Sequence, residues 1–435
     1  MKIYCSGIGG IGLSAYASLQ KTEGHEVLGS DRAASALIED LQSQGITVHL
    51  EQSGASIPAD CDLFVYSEAI PVDAPERRRA KELGIQQQSY PQALGDLSRG
   101  HDQVIAVCGT HGKSSTTGMA ARLLMHSGRE PTVVVGTKLK ELEGRNWRKG
   151  REAGVFLLEA CEYRNSFHQY SPSIILLTNC DGDHFDFFGS SEEYRSAFVT
   201  FIQKLPKDGV LITHLSDPDC KAVADVAGRK VIDADAYPLI TLKTPGTHMQ
   251  QNAQLVLALA DVLAIPGKQA QAAVSGYAGS WRRLELKGML GDIPVIDDYA
   301  HHPREIRATL DAIIGEYPGR RIVCAFQPHT HDRTLKFYDA FTHCFRGVDT
   351  VIIPNVYEAR KDIETERVDL PAFMRDLEKG STVRCVDGKS LADTERLLRE
   401  QILKPGDVLL CMGAGDITNL AQRMTSGSSD TSRTR

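Results

Sequence analysis

One short loop combines the residue types that hold a phosphate group, in the order that such a site needs. An apolar run predicts a buried strand before the loop, and a helix is predicted over 114–125. Between them, Gly109 and Gly112 free the backbone to turn its N–H groups toward an anion. Lys113 adds a positive charge for terminal phosphates, and Ser114 adds a hydroxyl for Mg²⁺. This order predicts that the chain binds ATP.

The loop is a shortened variant of the usual nucleotide-binding loop. The eight-residue form would begin with a glycine at position 107, where this chain has Val107. A strand that merely turns through Gly-Thr-His-Gly into a helix is the alternative interpretation. Polar side chains at the ends of neighbouring strands therefore help to decide between an ATP-binding loop and a structural turn.

Two further apolar strands end on groups that could complete a metal site. Glu159 closes one run, and a carboxylate at a strand end could coordinate a phosphate-bound Mg²⁺. A second run leads to His184, which stands among Asp181, Asp183 and Asp186 and could bind a second divalent cation. Two cations would neutralise both a nucleotide phosphate and a second anionic reactant. Without the loop upstream, a solvated acid and a structural histidine would be the simpler interpretation.

The first glycine turn of the chain is similar to a dinucleotide-binding fingerprint. It reads Gly7-Ile8-Gly9-Gly10-Ile11-Gly12-Leu13-Ser14 after a strand-like stretch. Asp31 lies about 20 residues further on, where a ribose-binding acid would stand. Nucleotide binding and a merely tight turn are both compatible with this pattern. An NAD-dependent dehydrogenase is therefore an alternative function.

Composition narrows the class of protein. The chain has 435 residues, of which 42% are hydrophobic and 24% charged, as in globular proteins of more than one domain. No apolar run approaches the ~20 residues of a membrane span, and the start lacks a secretory signal, so we expect a cytoplasmic protein without membrane partners. Ten cysteines occur singly, which indicates neither disulfides nor zinc. A net charge of −7 argues against general nucleic-acid binding.

Strand and helix patterns alternate along the chain, which predicts doubly wound α/β domains. The predicted strands include 26–30, 63–66, 155–159, 174–179 and 210–213. We expect a Rossmann-like N-terminal domain, a central P-loop ATPase-like domain with a parallel sheet and a C-terminal Rossmann-like domain. Their predicted ranges are 1–99, 100–281 and 282–423. Residues 424–435 are rich in Ser and Thr and are predicted to be a disordered tail.

The chain resembles the Mur family of ATP-dependent peptidoglycan amide ligases, and the resemblance extends over nearly all of it up to the tail. Three motifs share the family's order and spacing: Gly-Thr-His-Gly-Lys-Ser-Ser from 109, Glu159-Ala160-Cys161-Glu162-Tyr163, and Thr178-Asn179 followed by Asp183-His184. The family's adenine-side motif is similar to Gly246-Thr247-His248-Met249-Gln250-Gln251-Asn252-Ala253, although Thr247 and Met249 replace its more usual Arg and Asn. Its Arg pair at the entrance to the third domain is similar to Trp281-Arg282-Arg283.

The resemblance implies a reaction in which ATP activates a carboxylate as an acyl phosphate that an amine then attacks. It implies Lys113, Glu159 and His184 as catalytic residues, with Ser114, Glu159 and His184 on Mg²⁺ or Mn²⁺. The nucleotide contacts that it implies are Gly109, Thr110, His111, Gly112, Lys113, Ser114, Ser115, His248, Asn252, Arg283 and Asp298. In this family the N-terminal turn binds a UDP-sugar, which implies contacts from Gly7, Gly9, Gly10, Gly12, Ser14, Asp31 and Ser67.

Two C-terminal runs, 297–303 and 326–334, resemble the branch of the family that joins L-alanine to UDP-N-acetylmuramate. The expected partners are therefore UDP-N-acetylmuramate, ATP and L-alanine, bound by a monomer or homodimer. The amino-acid contacts that the resemblance implies are Tyr299, His301 and Arg333. Thr330 stands where some members have a second Arg.

Position 198 separates the branches of this family. Several sister ligases have a carbamylated lysine where this chain has Phe198, but the L-alanine branch and the tripeptide branch do not. A recycling ligase that attaches a preformed tripeptide to the same sugar nucleotide is therefore the nearest alternative. A sensor that binds the sugar nucleotide without turnover is a further one.

Overall fold

Three sheets built mainly from parallel strands organise the chain, which confirms the expected three-domain α/β fold. The computed structural model describes residues 1–184, 187–358 and 366–426. These residues divide into two compact units. One unit contains Met1–Leu242 and Gln250–Ala278, and with them the first two sheets; the other contains Lys243–Met249 and the chain from Gly279 onward, with the third sheet. The boundaries predicted between the three domains stay predictions.

The first sheet belongs to an open doubly wound domain. Its elements are β1 (Lys2–Ser6), α1 (Ile11–Thr22), β2 (Glu26–Ser30), α2 (Ala36–Ser43), β3 (Thr47–His49), β4 (Leu63–Tyr66), α3 (Pro75–Glu82), β5 (Gln86–Ser89) and α4 (Tyr90–Ser98). The strand order is β3-β2-β1-β4-β5, and every pair is parallel. The order reverses between β1 and β4, so the loops after these two strands flank the crevice in which such sheets bind ligands.

The second sheet has seven strands. Its region contains β6 (Gln103–Cys108), α5 (Lys113–His126), β7 (Thr132–Leu139), β8 (Arg145–Arg148), β9 (Val155–Glu159), β10 (Ile174–Leu177), α6 (Ser191–Ile202), β11 (Val210–Thr213), α7 (Pro218–Ala227), β12 (Lys230–Asp233), α8 (Thr247–Val262) and α9 (Gly267–Ser275). Short 3₁₀ turns cover Lys140–Leu142, Tyr163–Gln169 and Ala234–Ala236. The order is β12-β11-β10-β6-β9-β7-β8, and the edge strand β8 runs antiparallel to β7.

The third sheet has six strands in the order β13-β14-β18-β15-β16-β17, with β13 antiparallel to β14. Its elements are β13 (Glu285–Leu290), β14 (Ile293–Asp298), α10 (Pro303–Glu316), β15 (Ile322–Phe326), α11 (His331–Lys336), α12 (Tyr338–His343), β16 (Thr350–Ile353), α13 (Leu370–Ser381), β17 (Arg384–Asp387), α14 (Leu391–Leu397), β18 (Val408–Met412) and α15 (Ile417–Ser426). A π-helical turn over Leu398–Ile402 follows α14.

The last helix corrects the predicted start of the tail. α15 continues to Ser426, and Met424 is completely buried beside Leu420 in the core of the third domain. Apolar residues at 417, 420, 421 and 424 recur with helical spacing, which extends the buried face beyond the predicted boundary. The remaining tail residues, 427–435, lie outside the described residues.

Two further features concern the lengths of the helices and the state of the cysteines. Across the described ranges, every helix is too short or too polar to cross a bilayer. All ten cysteines are free thiols, and Cys161 is the exposed one among them.

Phe198 is part of an aromatic cluster in the core of the second domain. It lies on α6 and is completely buried. Its ring centroid is 5.2 Å from that of Phe167 and 5.1 Å from that of Tyr194. Edge-on and tilted contacts of this kind stabilise aromatic pairs beyond the burial of their area. Packing therefore accounts for the phenylalanine at this position.

We expect Phe198→Ala to lower the free energy of unfolding by about 3–5 kcal/mol, because it leaves a cavity between fixed rings. Phe198→Leu fills most of that volume and should cost less than about 1.5 kcal/mol. Urea denaturation followed by the fluorescence of Trp147, which is buried in the same domain, measures both. Equal losses for the two variants would contradict the packing role.

Candidate active site

Three adjacent strands of the second sheet present their carboxyl ends at one edge. β6 lies between β9 and β10, with Val107 opposite Glu159 and Cys108 opposite Leu177. The loop after β6 therefore lies between Glu159 on one side and the segment after β10 on the other. The motifs that the sequence places far apart meet here because parallel strands end at the same edge.

The loop after β6 adopts a conformation that requires its glycines. Gly109 has φ +136° and Gly112 has φ +81°. A Cβ atom at Gly109 would overlap the Thr178 hydroxyl and lie 2.7 Å from the carbonyl oxygen of Asn179. At Gly112 it would lie 2.6 Å from Oδ1 of Asn252, so the predicted adenine-side asparagine stands directly beside the predicted phosphate loop. A side chain therefore does not fit at Gly109, and at Gly112 the left-handed backbone favours glycine.

The segment after β10 braces this loop. The backbone N–H of Thr110 donates to the Asn179 carbonyl oxygen at 3.0 Å, and that of His111 donates to Asn179 Oδ1 at 2.8 Å. The Thr178 hydroxyl donates to the His111 carbonyl oxygen at 2.6 Å. These contacts explain why β10 ends at Leu177 instead of at the predicted 179: the next two residues bond to the loop.

The loop leads directly into the first turn of α5. Gly112 is the residue that precedes this helix, and a glycine has no side chain to cap the first N–H groups. Ser114 and Ser115 lie in the first turn and are buried. Helix N-termini of this kind bind anions because their N–H groups and dipole favour negative charge.

Lys113 is paired with an acid that the sequence did not single out. Its Nζ lies 2.9 Å from Oε2 and 3.3 Å from Oε1 of Glu162, and it also donates to the carbonyl oxygens of Gly109 and Thr110. The Glu162 side chain is completely buried. Burial alone would lower the pKa of Lys113, but attraction from Glu162 raises it above its usual range. Lys113 is therefore a fully charged ammonium near neutral pH.

His184 joins the same group. Its Nε2 lies 3.6 Å from Glu162 Oε1 and 3.7 Å from Asp183 Oδ2. The imidazole packs on the Tyr163 ring with centroids 4.7 Å apart. His184 itself has φ +53°, an unusual backbone conformation for a non-glycine residue. Asp186, which the sequence suggested as a neighbour, lies outside the described residues.

Glu159 points toward β7. Its Oε2 accepts a hydrogen bond of 2.9 Å from the backbone N–H of Gly136. Within residues 1–184, 187–358 and 366–426, no three His, Cys, Asp or Glu side chains are grouped closely enough to hold a metal ion by themselves. The hydroxyl of Ser114 and the carboxylate of Glu159 are hard oxygen ligands of the kind that Mg²⁺ prefers alongside phosphate oxygens. The donor set thus fits a cation that arrives with a nucleotide.

The predicted UDP-sugar residues lie together at the switch point of the first sheet. Gly7 has φ +78°, and a Cβ there would lie 3.0 Å from Cβ of Ser67 in the loop after β4. The backbone N–H of Gly9 donates to Asp31 Oδ2 at 2.9 Å, so this acid fixes the turn. A Cβ at Gly12 would lie 2.7 Å from the Tyr90 ring.

Two residues at the start of α1 complete this turn. Gly10 precedes the helix, and the Ser14 hydroxyl donates to the Ile11 carbonyl oxygen at 3.0 Å. Asn146 of β8 donates to the same carbonyl. Ser14 therefore has its hydroxyl proton engaged within the helix.

In the third domain, the predicted amino-acid residues are linked through His329. Nδ1 of His301 lies 3.0 Å from the carbonyl oxygen of Tyr299, and the His301 and His329 rings are 5.5 Å apart. Nη1 of Arg333 lies 3.5 Å from Nδ1 of His329. Thr330, which precedes α11, has φ +62° and accepts a hydrogen bond from the Arg333 backbone.

The predicted nucleotide residues of this domain make mainly internal contacts. Asp298 is buried and accepts hydrogen bonds from the backbone N–H groups of Leu284 at 2.7 Å and Ala300 at 2.8 Å. Burial raises its pKa, which nearby Arg283 partly opposes. Arg283 lies 3.5 Å from Glu305. Asp298 therefore anchors the strand end on which Arg283 and Tyr299 depend.

His248 belongs to the same unit as Arg283. Burial, reinforced by the positive charge of Arg283 and opposed by Glu305, lowers the pKa of His248 to about 4. The imidazole is therefore neutral near neutral pH. A neutral ring can stack on or hydrogen-bond to a base without repelling a neighbouring cation.

This pKa predicts an acid-sensitive third domain. The unfolded chain would protonate His248 near its ordinary pKa of 6.5, whereas the folded chain resists protonation until about pH 4. Stability therefore falls as pH drops through this window, by about 2 kcal/mol at pH 5. His248→Gln should remove that part of the loss. Denaturation curves at pH 7 and pH 5 measure the difference, and identical pH dependence in both proteins would contradict it.

Known proteins are similar to this chain in sequence and in fold. The Mur ligase family catalytic domain matches residues 2–102, the Mur ligase middle domain matches 107–239, and the Mur ligase glutamate ligase domain matches 282–415. The UDP-N-acetylmuramate–L-alanine ligase of Clostridium novyi (strain NT) is 33% identical over an alignment of 448 positions, which covers 97% of this chain and 96% of that relative. The crystal structure of the UDP-N-acetylmuramate–alanine ligase of Thermotoga maritima has a TM-score of 0.81 at 28% identity over 98% of both chains. A murein peptide ligase of Psychrobacter arcticus shares the fold, with a TM-score of 0.73 at 23% identity over 98% of both chains. Because these matches extend over nearly the entire sequence, the chain belongs to the Mur ligase family.

Proposed function

We propose that this chain is an ATP-dependent ligase that joins L-alanine to the lactyl carboxylate of UDP-N-acetylmuramate and releases ADP and phosphate. The observation that carries the proposal is the group formed by the phosphate loop, Lys113 and His184 at the ends of three adjacent strands. The relatives named above as L-alanine ligases support the choice of substrates.

The chemistry has two steps. A carboxylate oxygen of the sugar attacks the γ-phosphorus of ATP, the bond to the bridging oxygen breaks, and ADP leaves. The amine of L-alanine then attacks the acyl carbon, phosphate leaves, and the nitrogen loses a proton. The first step brings two anions together, so the site must neutralise and align them before they react.

The residues of the loop are suited to that task. Backbone N–H groups at the start of α5 would bind phosphate oxygens, and the Lys113 ammonium would balance their charge. Ser114 and Glu159, with His184 nearby, would hold Mg²⁺ or Mn²⁺, which supplies further positive charge when bound. Asn252, beside Gly112, would face the base side of the nucleotide.

The two remaining substrates are assigned to other loops. The turn that contains Gly7, Gly9 and Asp31, together with Ser67, would bind the UDP-sugar at the switch point of the first sheet. Tyr299, His301 and Arg333 would bind L-alanine, with the planar guanidinium of Arg333 on its carboxylate.

A substrate comparison tests the proposal. Purified protein is given ATP, Mg²⁺ and UDP-N-acetylmuramate with either L-alanine or the preformed tripeptide, and phosphate release is measured. Turnover with L-alanine supports the proposal, whereas turnover with the tripeptide alone would assign the recycling reaction. Binding of nicotinamide dinucleotide without ADP formation would instead favour a dehydrogenase, and sugar-nucleotide binding without any turnover a sensor.

We expect Lys113→Ala to abolish turnover, because the γ-phosphate loses its main positive charge. UDP-sugar binding should stay within about threefold of wild type, since its predicted contacts lie on the first sheet. Calorimetric titration with UDP-N-acetylmuramate measures the second quantity. Parallel loss of both ligands would contradict the separation of the two sites.

We expect Arg333→Ala to raise the KM for L-alanine much more than the KM for ATP. Removal of a charge-assisted contact to a carboxylate typically costs about 1.5–3 kcal/mol, which corresponds to a rise of roughly 10- to 100-fold. Steady-state kinetics with each substrate varied in turn measures the two constants. An unchanged KM for L-alanine would place its carboxylate elsewhere.

A further inference from the structure

Glu162 is a buried charge whose partners belong to the nucleotide site. Its side chain is completely buried, at 0% exposure, against 13% for Lys113 and 24% for His184. One carboxylate oxygen lies 2.9 Å from the Lys113 ammonium, and the other lies 3.6 Å from His184 Nε2. A single acid thus joins the two basic groups that the proposed reaction needs.

The backbone after Glu162 adopts an unusual conformation that is fixed by local hydrogen bonds. Arg164 and Asn165 have φ +53° and +57°, two successive left-handed residues without a glycine. The N–H of Asn165 donates to the Glu162 carbonyl oxygen at 2.9 Å, and the Ser166 hydroxyl donates to Glu68 Oε2 at 2.7 Å. Such backbone persists only where its surroundings fix it, and it is common at functional sites.

A bound triphosphate must share Lys113 with Glu162. The ammonium has three N–H donors, and in this structure they face the carbonyl oxygens of Gly109 and Thr110 and the carboxylate of Glu162. A buried carboxylate also repels incoming phosphate oxygens, because charges interact strongly where water is excluded. Glu162 therefore does not favour nucleotide binding as such. We therefore expect its contribution to lie in the positions at which it holds Lys113 and His184.

We propose that Glu162 is a positioning residue, which holds the Lys113 ammonium and the His184 imidazole in the geometry that phosphoryl transfer requires. This rests on the proposed function, because it assigns Lys113 and His184 to the reacting phosphate. Glu162 acts through these two groups and does not itself contact the substrate. Its loss should therefore affect the rate and leave nucleotide affinity nearly unchanged.

Glu162→Gln tests this, because it preserves shape and removes the charge. We expect kcat to fall about 100-fold, as for small misplacements of catalytic groups. The dissociation constant for a non-hydrolysable ATP analogue should stay within about threefold of wild type, or become smaller, because a repulsive charge is removed. Glu162→Asp keeps the charge at shorter reach, so its kcat should lie between those of Glu162→Gln and wild type.

Asp225→Asn is the matched control. Asp225 pairs with Lys221 at 3.0 Å, nearly the same distance, but both side chains are more than half exposed. Surface pairs of this kind contribute little, so kcat and analogue affinity should both equal those of wild type. A fall in kcat for this variant as large as that for Glu162→Gln would overturn the assignment.

Calorimetry separates positioning from a purely structural role. If Glu162 merely stabilised the fold, Glu162→Gln would reduce the fraction of protein that binds the analogue, and kcat would fall in the same proportion. Unchanged binding stoichiometry with reduced kcat supports positioning. A kcat within about threefold of wild type, or a loss matched by lost binding sites, would overturn it. If Glu162→Gln does not fold, Glu162→Asp must show the reduced kcat at full stoichiometry.

The test of Glu162 and the test of the proposed substrate can fail independently of each other. The variants are measured with whichever amine-containing substrate the wild-type protein uses. Failure of L-alanine as a substrate would therefore overturn the proposed substrate and leave the comparison at Glu162 intact. Ligation of L-alanine at wild-type rate by Glu162→Gln would overturn the positioning role alone.

Discussion

A charged lysine that is almost completely buried needs a partner of opposite charge, and the geometry of the proposed nucleotide site depends on that pair. The Lys113 ammonium faces two backbone carbonyls and the buried carboxylate of Glu162. Removing one member of a buried pair typically costs about 3–5 kcal/mol, because the other charge is left without compensation. The pair therefore constrains both the loop after β6 and the turn after β9. The sheet makes this possible by placing those two strands side by side.

A strand turns through glycines into a helix in both the first and the second domain. Different groups hold the two turns in place. In the first domain a carboxylate, Asp31, accepts the N–H of Gly9 and fixes the turn. In the second domain the neutral amide of Asn179 accepts the N–H of His111. A neutral brace adds no negative charge of its own beside the backbone donors of this loop. The difference suits the proposed binding of a triphosphate at this loop.

Sequence patterns predicted much of this fold because buried parallel strands appear as short apolar runs between glycine or acidic residues. The bounds of β2, β4, β9 and β11 agree with the predicted ranges. β10 is two residues shorter than predicted because the next two residues, Thr178 and Asn179, bond to a loop distant in sequence. Contacts of this kind cannot be inferred from local periodicity.

The site was less predictable than the fold. Lys113 and His184 could be singled out as candidates from their places after apolar strands, but Glu162 could not, because nothing in its local sequence distinguishes it from a solvated acid. The one available signal was the second acid in the stretch 159–163. Asp298 was implied as a nucleotide contact by the family resemblance alone, and that role stays a prediction. Its oxygens accept backbone hydrogen bonds within its own domain, which the sequence pattern did not predict.

The tight fit between Gly109 and Thr178 has a consequence for engineering. A phosphate-binding loop is often regarded as a motif that keeps its conformation between any strand and helix. Here the loop shape depends on the segment after β10, more than sixty residues away. Thr178 and Asn179 occupy the space beside Gly109 and bond to the two residues that follow it. Transplanting residues 109–115 alone into another scaffold would transfer the sequence motif without the contacts that fix its conformation.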